Sequence, residues 1–205
     1  FTVDEETGLT GAFALDGNLL QGRTMLNLDT EEWGAICIGC AGGGDSQISL
    51  PVSYEGAPGD FLSFQLAVEG LKGGHSGVDI HEYRANAIVL LASVMVPLTE
   101  MGVRIVSVQG GDKTNAIPRE AFATLLLPPE AMADAQIAVA GRTESLRSEY
   151  GSLEKDMRVS LVGLEDAPAE CMSAEAQGNL MGLLRTLPHG ALKYSHTIPG
   201  LVATS

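Results

Sequence analysis

The sequence predicts a mixed chain: part of an α/β sheet over residues 1–57, followed by an α+β domain over 58–205 built on one β-α-β-β-α-β unit. Three observations lead to this reading. Segments 61–69, 103–109, 121–127 and 158–164 alternate or run apolar over strand lengths, as strands with a buried face do. Segments 82–98 and 131–150 are long enough for helices, and the first places Ala85, Ile88, Val89, Ala92 and Val96 at helical spacing. Clusters at Gly42-Gly43-Gly44 and Gly56-Ala57-Pro58-Gly59 punctuate the chain, and the second of them marks the domain boundary.

Taken in order, residues 1–57 read as a strand end, a loop, a short helix near 9–15, and strands at 24–28 and 35–40. Glu5-Glu6 and Asp29 each follow a strand, at the carboxyl ends where open α/β sheets place their sites. After the boundary comes a strand at 61–69, then the helix at 82–98, stopped near Pro97. Strands at 103–109 and 121–127 flank Asn115-Ala116-Ile117-Pro118-Arg119, and the helix at 131–150 leads into the strand at 158–164. This order over about 60–164 is the ferredoxin-like arrangement, with two helices on one face of an antiparallel sheet. Residues 165–205 begin a further element, in which Ser173 caps a helix that runs to about 187 and Pro188-His189-Gly190 ends it. A strand-like run closes the chain at 201–205.

At 205 residues and 45% hydrophobic, the chain can bury a sizeable core. Phe1 stands in place of a start methionine and opens a strand end, so the chain is expected to be an internal piece of a longer polypeptide. The formal charge of −14, from 26 acidic and 12 basic side chains, opposes nucleic-acid binding, which needs cations to neutralise phosphate. No apolar run of about 18 residues is present to span a bilayer, so neither nucleic acid nor membrane is an expected partner. Cys37-Ile38-Gly39-Cys40 has the spacing of half a zinc site or of a redox pair. It also lies in an alternating run, where cysteine acts as a small hydrophobe. With Cys171 the count is odd, which fits a reducing, cytoplasmic compartment.

Two constellations could carry chemistry. The vicinal pair Glu5-Glu6 lets one carboxylate hold a cation while its neighbour takes a proton from water activated there. Asp29 offers a second hard-oxygen ligand. These three groups do not complete a catalytic site, since zinc sites normally include imidazole and paired sites need a bridging carboxylate. Further on, Gly73-Gly74-His75-Ser76-Gly77 sets one imidazole on a backbone free to approach a ligand closely, or else simply turns the chain at a strand end. Asn115 and Arg119 place an amide and a forked cation together, suited either to gripping a substrate carboxylate or to a salt bridge between Arg119 and Glu120. His81, His189 and His196 read as ordinary surface histidines.

Together the motifs Thr2-Val3-Asp4-Glu5-Glu6-Thr7-Gly8, Asn27-Leu28-Asp29-Thr30-Glu31-Glu32, Gly39-Cys40-Ala41-Gly42-Gly43, Gly70-Leu71-Lys72-Gly73-Gly74-His75-Ser76-Gly77 and Asn115-Ala116-Ile117-Pro118-Arg119-Glu120 resemble, in the same order, those of the M20 family of metallopeptidases. Within it the chain is similar to the aminoacyl-histidine (Xaa-His) dipeptidases. The resemblance covers the whole chain and less than half of a typical member.

It implies a partial catalytic domain at 1–57 and a lid, or dimerisation, domain at 58–205. By analogy, Glu5 matches the general base, while Glu6 and Asp29 match ligands of two different metal ions. His75 matches the lid histidine that contacts substrate and stabilises the oxyanion, and Asn115 and Arg119 match lid residues that position the substrate. The implied cofactors are two divalent ions in the intact parent, zinc first and cobalt or manganese as alternatives, with none held tightly by this piece alone. The implied partners are a small dipeptide and a second copy joined through the lid. The isolated piece is expected to be inactive, because the remaining ligands would lie outside it. Two rival readings stand beside this one: another M20 hydrolase, such as a tripeptidase, carboxypeptidase or amino-acid deacylase, and a non-catalytic dimerisation or peptide-binding module.

Overall fold

Leu66 and Val68 are fully buried, as are Ala121, Ala123, Leu125 and Leu127, each set at alternate positions. This period-two pattern turns one face of a sheet inward. The computed structural model describes residues 3–4, 9–24, 26, 33–36 and 42–205, and the chain divides into two compact units, 1–44 and 45–205.

In the first unit a short helix α1 spans Thr10–Phe13, and a 3-10 turn at Gly17–Leu19 is capped by Asp16, whose carboxylate accepts the Asn18 N–H. The strands expected at 24–28 and 35–40 fall largely on residues outside the described ones, as do Glu5, Glu6, Asp29, Cys37 and Cys40.

The second unit contains β1 (Tyr54–Gly56), β2 (Leu62–Glu69), β3 (Gly74–His75), α2 (Ala87–Glu100), β4 (Arg104–Gly110), β5 (Ala116–Ile117), β6 (Ala121–Leu127), α3 (Met132–Tyr150), β7 (Arg158–Gly163), β8 (Glu170–Met172), α4 (Ala174–Thr186), β9 (Lys193–Tyr194) and β10 (Val202–Thr204). The main sheet has the order β4-β6-β2-β7, antiparallel throughout. With α2 and α3 packed against its buried side, this is the ferredoxin-like arrangement. The core between the layers joins Leu66, Ile105 and Leu125 of the sheet to Leu91, Val94, Met95 and Leu98 of α2 and to Ala135 and Leu146 of α3. Each such large aliphatic side chain contributes about 1.5–3 kcal/mol by leaving water.

Most bounds shift by a residue or two from the sequence reading, and the start of α2 by five. Helix α2 starts at Ala87 instead of 82, because Asn86 Oδ1 accepts the N–H groups of Ile88 and Val89 and Tyr83 ahead of it has a left-handed backbone. The helix also continues past Pro97 to Glu100. Gly102 closes it just beyond, its positive φ of 82° letting Val103 N–H return to the Leu98 carbonyl, a glycine C-cap. Helix α4 begins as expected, with Ser173 Oγ accepting the Ala176 N–H.

Three ribbons complete the unit, β1 with β8, β3 with β5, and β9 with β10, and of their strands β10 alone falls on an expected one. Each has too few residues to express a period. The β9–β10 hairpin uses the strand expected at 201–205. Helix α4 is tied to the edge strand by Gln177, a buried amide that accepts the Ile105 N–H and donates to the Val103 carbonyl. Cys171 is free and fully buried in β8.

Candidate functional site

The glycine-rich segment at 73–77 and the segment at 115–119 lie some 40 residues apart in sequence and meet through the β3–β5 ribbon. His75 pairs with Ala116, Gly74 with Ile117, and Ser76 N–H donates to the Asn115 carbonyl at 2.9 Å. Below this pairing, Leu71 N–H reaches the Arg119 carbonyl and Arg119 Nε–H donates to the Leu71 carbonyl at 3.1 Å. The structure thus brings His75, Asn115 and Arg119 into one pair of adjoining loops. Among the described residues Arg119 makes no ion pair, so the expected alternative of a bridge to Glu120 is not what holds it. Its stem lies over Gly73, where φ is +63° and a Cβ would collide with Arg119 Cγ.

His75 is exposed, and its ring folds back over its own turn. Nδ1 accepts the N–H of Gly77 at 3.0 Å and of Val78 at 3.1 Å. A ring nitrogen that accepts two backbone donors presents its lone pair, so in the neutral ring the proton sits on Nε2. His75 therefore offers one N–H outward.

The loop bearing it is anchored from below by Glu154, only 2% exposed, whose carboxylate accepts Lys72 N–H at 2.6 Å and Ala85 N–H at 2.9 Å. Arg84 braces it from the side, donating to the Gly73 carbonyl and pairing with Asp79 and Glu82. The hydrogen bond from Arg84, followed by that from Lys72, holds the Glu82 carboxyl below its ordinary value. His189, expected to be an ordinary surface residue, is half-buried. Its Nδ1 lies 3.3 Å from Asn86 Nδ2 and its Nε2 lies 3.3 Å from the Arg84 carbonyl, so it fastens the helix cap to the loop.

Beside this loop pair a cleft of about 520 Å³ is lined by Gln109, Asp112, Ile117, Arg119 and Phe122, within the range of small-molecule sites. A smaller hollow near Thr99, Gln177 and Met181 contains none of the expected site residues. Glu5, Glu6 and Asp29 lie outside the described residues, and among the described ones no group of three His, Cys, Asp or Glu side chains could hold a metal. The side chains that sequence reasoning missed are Asp79, Arg84 and Glu154. Asp79 and Arg84 follow the glycine-rich motif within ten residues, but an aspartate and an arginine so spaced carry no distinctive signal. Glu154 is more than seventy residues downstream, with no local signal.

Residues 66–152 match the family description of a peptidase dimerisation domain. That span is similar to an M20 dimerisation domain. The chain that carries this domain is 37% identical over 205 residues to the cytosol non-specific dipeptidase of Escherichia coli strain K12, a match covering all of this chain and 42% of that protein. The crystal structure of aminoacylhistidine dipeptidase from Vibrio alginolyticus superposes with a TM-score of 0.82 at 36% identity, over 98% of this chain and 41% of that one. The chain therefore spans about two fifths of the length of the relatives it matches, and its similarity to dipeptidases extends beyond the dimerisation domain to both ends. No helix among the described residues is long and apolar enough to cross a membrane.

Proposed function

We propose that the protein carrying this chain is a cytoplasmic, metal-dependent dipeptidase that cleaves Xaa-His or similar small dipeptides and works as a homodimer joined through the dimerisation domain. The observation that carries the proposal is the convergence of His75, Asn115 and Arg119 on one loop pair beside a cleft, in a chain similar along its whole length to dipeptidases. His75 Nε2–H would donate to the oxygen that gains charge when the peptide carbonyl is attacked. Donors of this kind, fixed before the reaction, are effective because they need no reorganisation. Arg119 and Asn115 would hold the dipeptide's carboxylate and set its register. Arg119 is suited to this because its Nε is committed to Leu71, while no carboxylate among the described residues pairs with its guanidinium.

Glu5 would accept the proton of the attacking water and deliver it to the leaving amine. Glu6 and Asp29 would each hold one of two divalent ions, zinc first, with manganese or cobalt as alternatives. Hard carboxylate oxygens suit all three. When bound, the ions supply Lewis-acid polarisation of the carbonyl.

The test is a hydrolysis assay on the protein carrying this chain, supplied in turn with zinc, manganese and cobalt and given a dipeptide panel. Hydrolysis of dipeptides that falls with loss of the free carboxylate is the expected result. Failure to cleave any of them with any of the three ions would refute the proposal, and preference for longer or acylated substrates would point to another M20 hydrolase.

A further inference from the structure

His75 to Asp79 form a closed turn. His75 N–H donates to Asp79 Oδ2 at 2.8 Å, and Asp79 N–H returns to the His75 carbonyl at 3.0 Å. Inside this turn the Gly77 and Val78 N–H groups meet His75 Nδ1, so the ring's tautomer depends on the turn staying closed. A Cβ on Gly77 would stand 3.3 Å from both Cε1 and Nδ1 of the ring, tighter than ordinary contact, and its absence lets the ring lie over the backbone.

One side chain secures the turn from outside. Arg84 engages both oxygens of Asp79, Nη1 with Oδ2 at 3.0 Å and Nη2 with Oδ1 at 2.9 Å, which is the forked geometry that a guanidinium offers and an ammonium does not. Its remaining donors reach the Gly73 carbonyl at 2.6 Å and Glu82 Oε2 at 2.7–2.8 Å. Gly74 leaves room for this pair: at φ +144°, a Cβ there would strike Arg84 Nη1 and lie 2.5 Å from Asp79 Oδ2. The second glycine of the motif is thus explained by the Arg84–Asp79 clamp.

We propose that Asp79, gripped by Arg84, is a positioning residue that selects the Nε2–H tautomer of His75 and so fixes it as an outward hydrogen-bond donor. This rests on the reading of His75 as the residue that meets the substrate oxygen. A histidine on an unbraced glycine-rich loop would exchange between tautomers, and only one of them places the proton where a developing oxyanion could use it.

Long-range 1H–15N spectra of the imidazole in the 205-residue chain read the tautomer directly, without substrate or metal. Wild type is expected to show His75 in one form, proton on Nε2 and lone pair on Nδ1. Asp79→Asn, which keeps an oxygen acceptor for His75 N–H, should retain that form. Asp79→Ala and Arg84→Met should lose it, giving averaged nitrogen shifts for His75, with His196 as the internal control, since His81 and His189 contact the Val78 and Arg84 carbonyls. A wild-type ring already mixed or protonated on Nδ1 would overturn the proposal, as would an unchanged single tautomer in either disruptive variant. Should one of these not fold, the other reads the same coupling, and the wild-type spectrum stands by itself. A protein with the expected spectra and no peptidase activity would refute the function above and leave this inference standing. An active protein with unmoved tautomers would do the reverse.

Discussion

The carboxylate of Glu154 accepts the backbone N–H of Lys72 at 2.6 Å across 82 residues of sequence, and its other oxygen takes the N–H of Ala85. One buried side chain thereby fixes both ends of the loop that carries His75. Glu154→Gln keeps one acceptor but turns an amide N–H2 toward the other donor. The expected cost is about 1–3 kcal/mol for a stranded buried donor, read as a lower midpoint in urea unfolding. An unchanged midpoint would mean that water replaces the contact.

At Gly73 the left-handed backbone and the stem of Arg119 leave no room for a side chain. Gly73→Ala is expected to lose about 1–2 kcal/mol from the backbone conformation. It should also displace Arg119 from the Leu71 carbonyl. Thermal unfolding measures the first effect. A rise in KM for dipeptides larger than any fall in kcat measures the second, and an unaltered KM would argue against Arg119 as the carboxylate anchor.

His75 itself is exposed and contributes little to packing. In the protein carrying this chain, His75→Ala should lower kcat by about 100- to 1,000-fold, the usual consequence of removing one oxyanion donor. Its melting temperature should stay close to that of wild type. Steady-state kinetics with kcat preserved would remove His75 from the reaction.

The N-cap of α2 separates two functions of one residue. Asn86→Ala should cost about 1 kcal/mol, as cap removals do. Asn86→Asp keeps the cap oxygen but forfeits the Nδ2 that faces His189. Denaturant titration should therefore place Asp between Asn and Ala. An Asp variant as stable as wild type would show that the His189 contact adds nothing.

Burial, followed by the charge of Glu149, raises the Tyr150 phenol above its ordinary 10.0. The folded state therefore holds this proton more tightly than the unfolded chain does. That contribution to stability is fully present below about pH 10 and is lost as pH rises through the folded-state value. Tyr150→Phe should flatten the alkaline decline in unfolding free energy, and identical slopes in the two proteins would exclude Tyr150 as its source.

Much of the fold was legible because its strands and helices are long enough to show their period. Residues 121–127 and 158–163 fell where alternation put them, and Ser173 signalled α4. The start of α2 departs from the period because Ala85 lies on it yet its N–H is taken by Glu154, and Asn86 claims the first turn. The ribbons at 54–56 and 74–75 were invisible because their partners lie 40 to 120 residues away. At the candidate site, Gly73 to Gly77 drew notice through composition alone. The clamp of Asp79 and Arg84 did not, since an aspartate and an arginine five residues apart are common on any solvated surface. Glu154 could be assigned a role only once folding had carried it beneath Lys72.

The β1–β8 ribbon has a kinetic consequence. It joins Tyr54 to Met172, and the flanking Ser53 and Ser173 touch through their hydroxyls at 2.6 Å across 120 residues. Closing a loop of that length costs about 4 kcal/mol of chain entropy, offset by three paired residues, the Ser53–Ser173 contact and Arg104, which reaches both Glu55 and the Met172 carbonyl. The ribbon should therefore zip up after the sheet and helices between its strands have assembled, and should open first under native conditions. Amide exchange at 54–56 and 170–172 should run ahead of exchange in the main sheet, marking the ribbon as the clasp by which this domain is fastened and released.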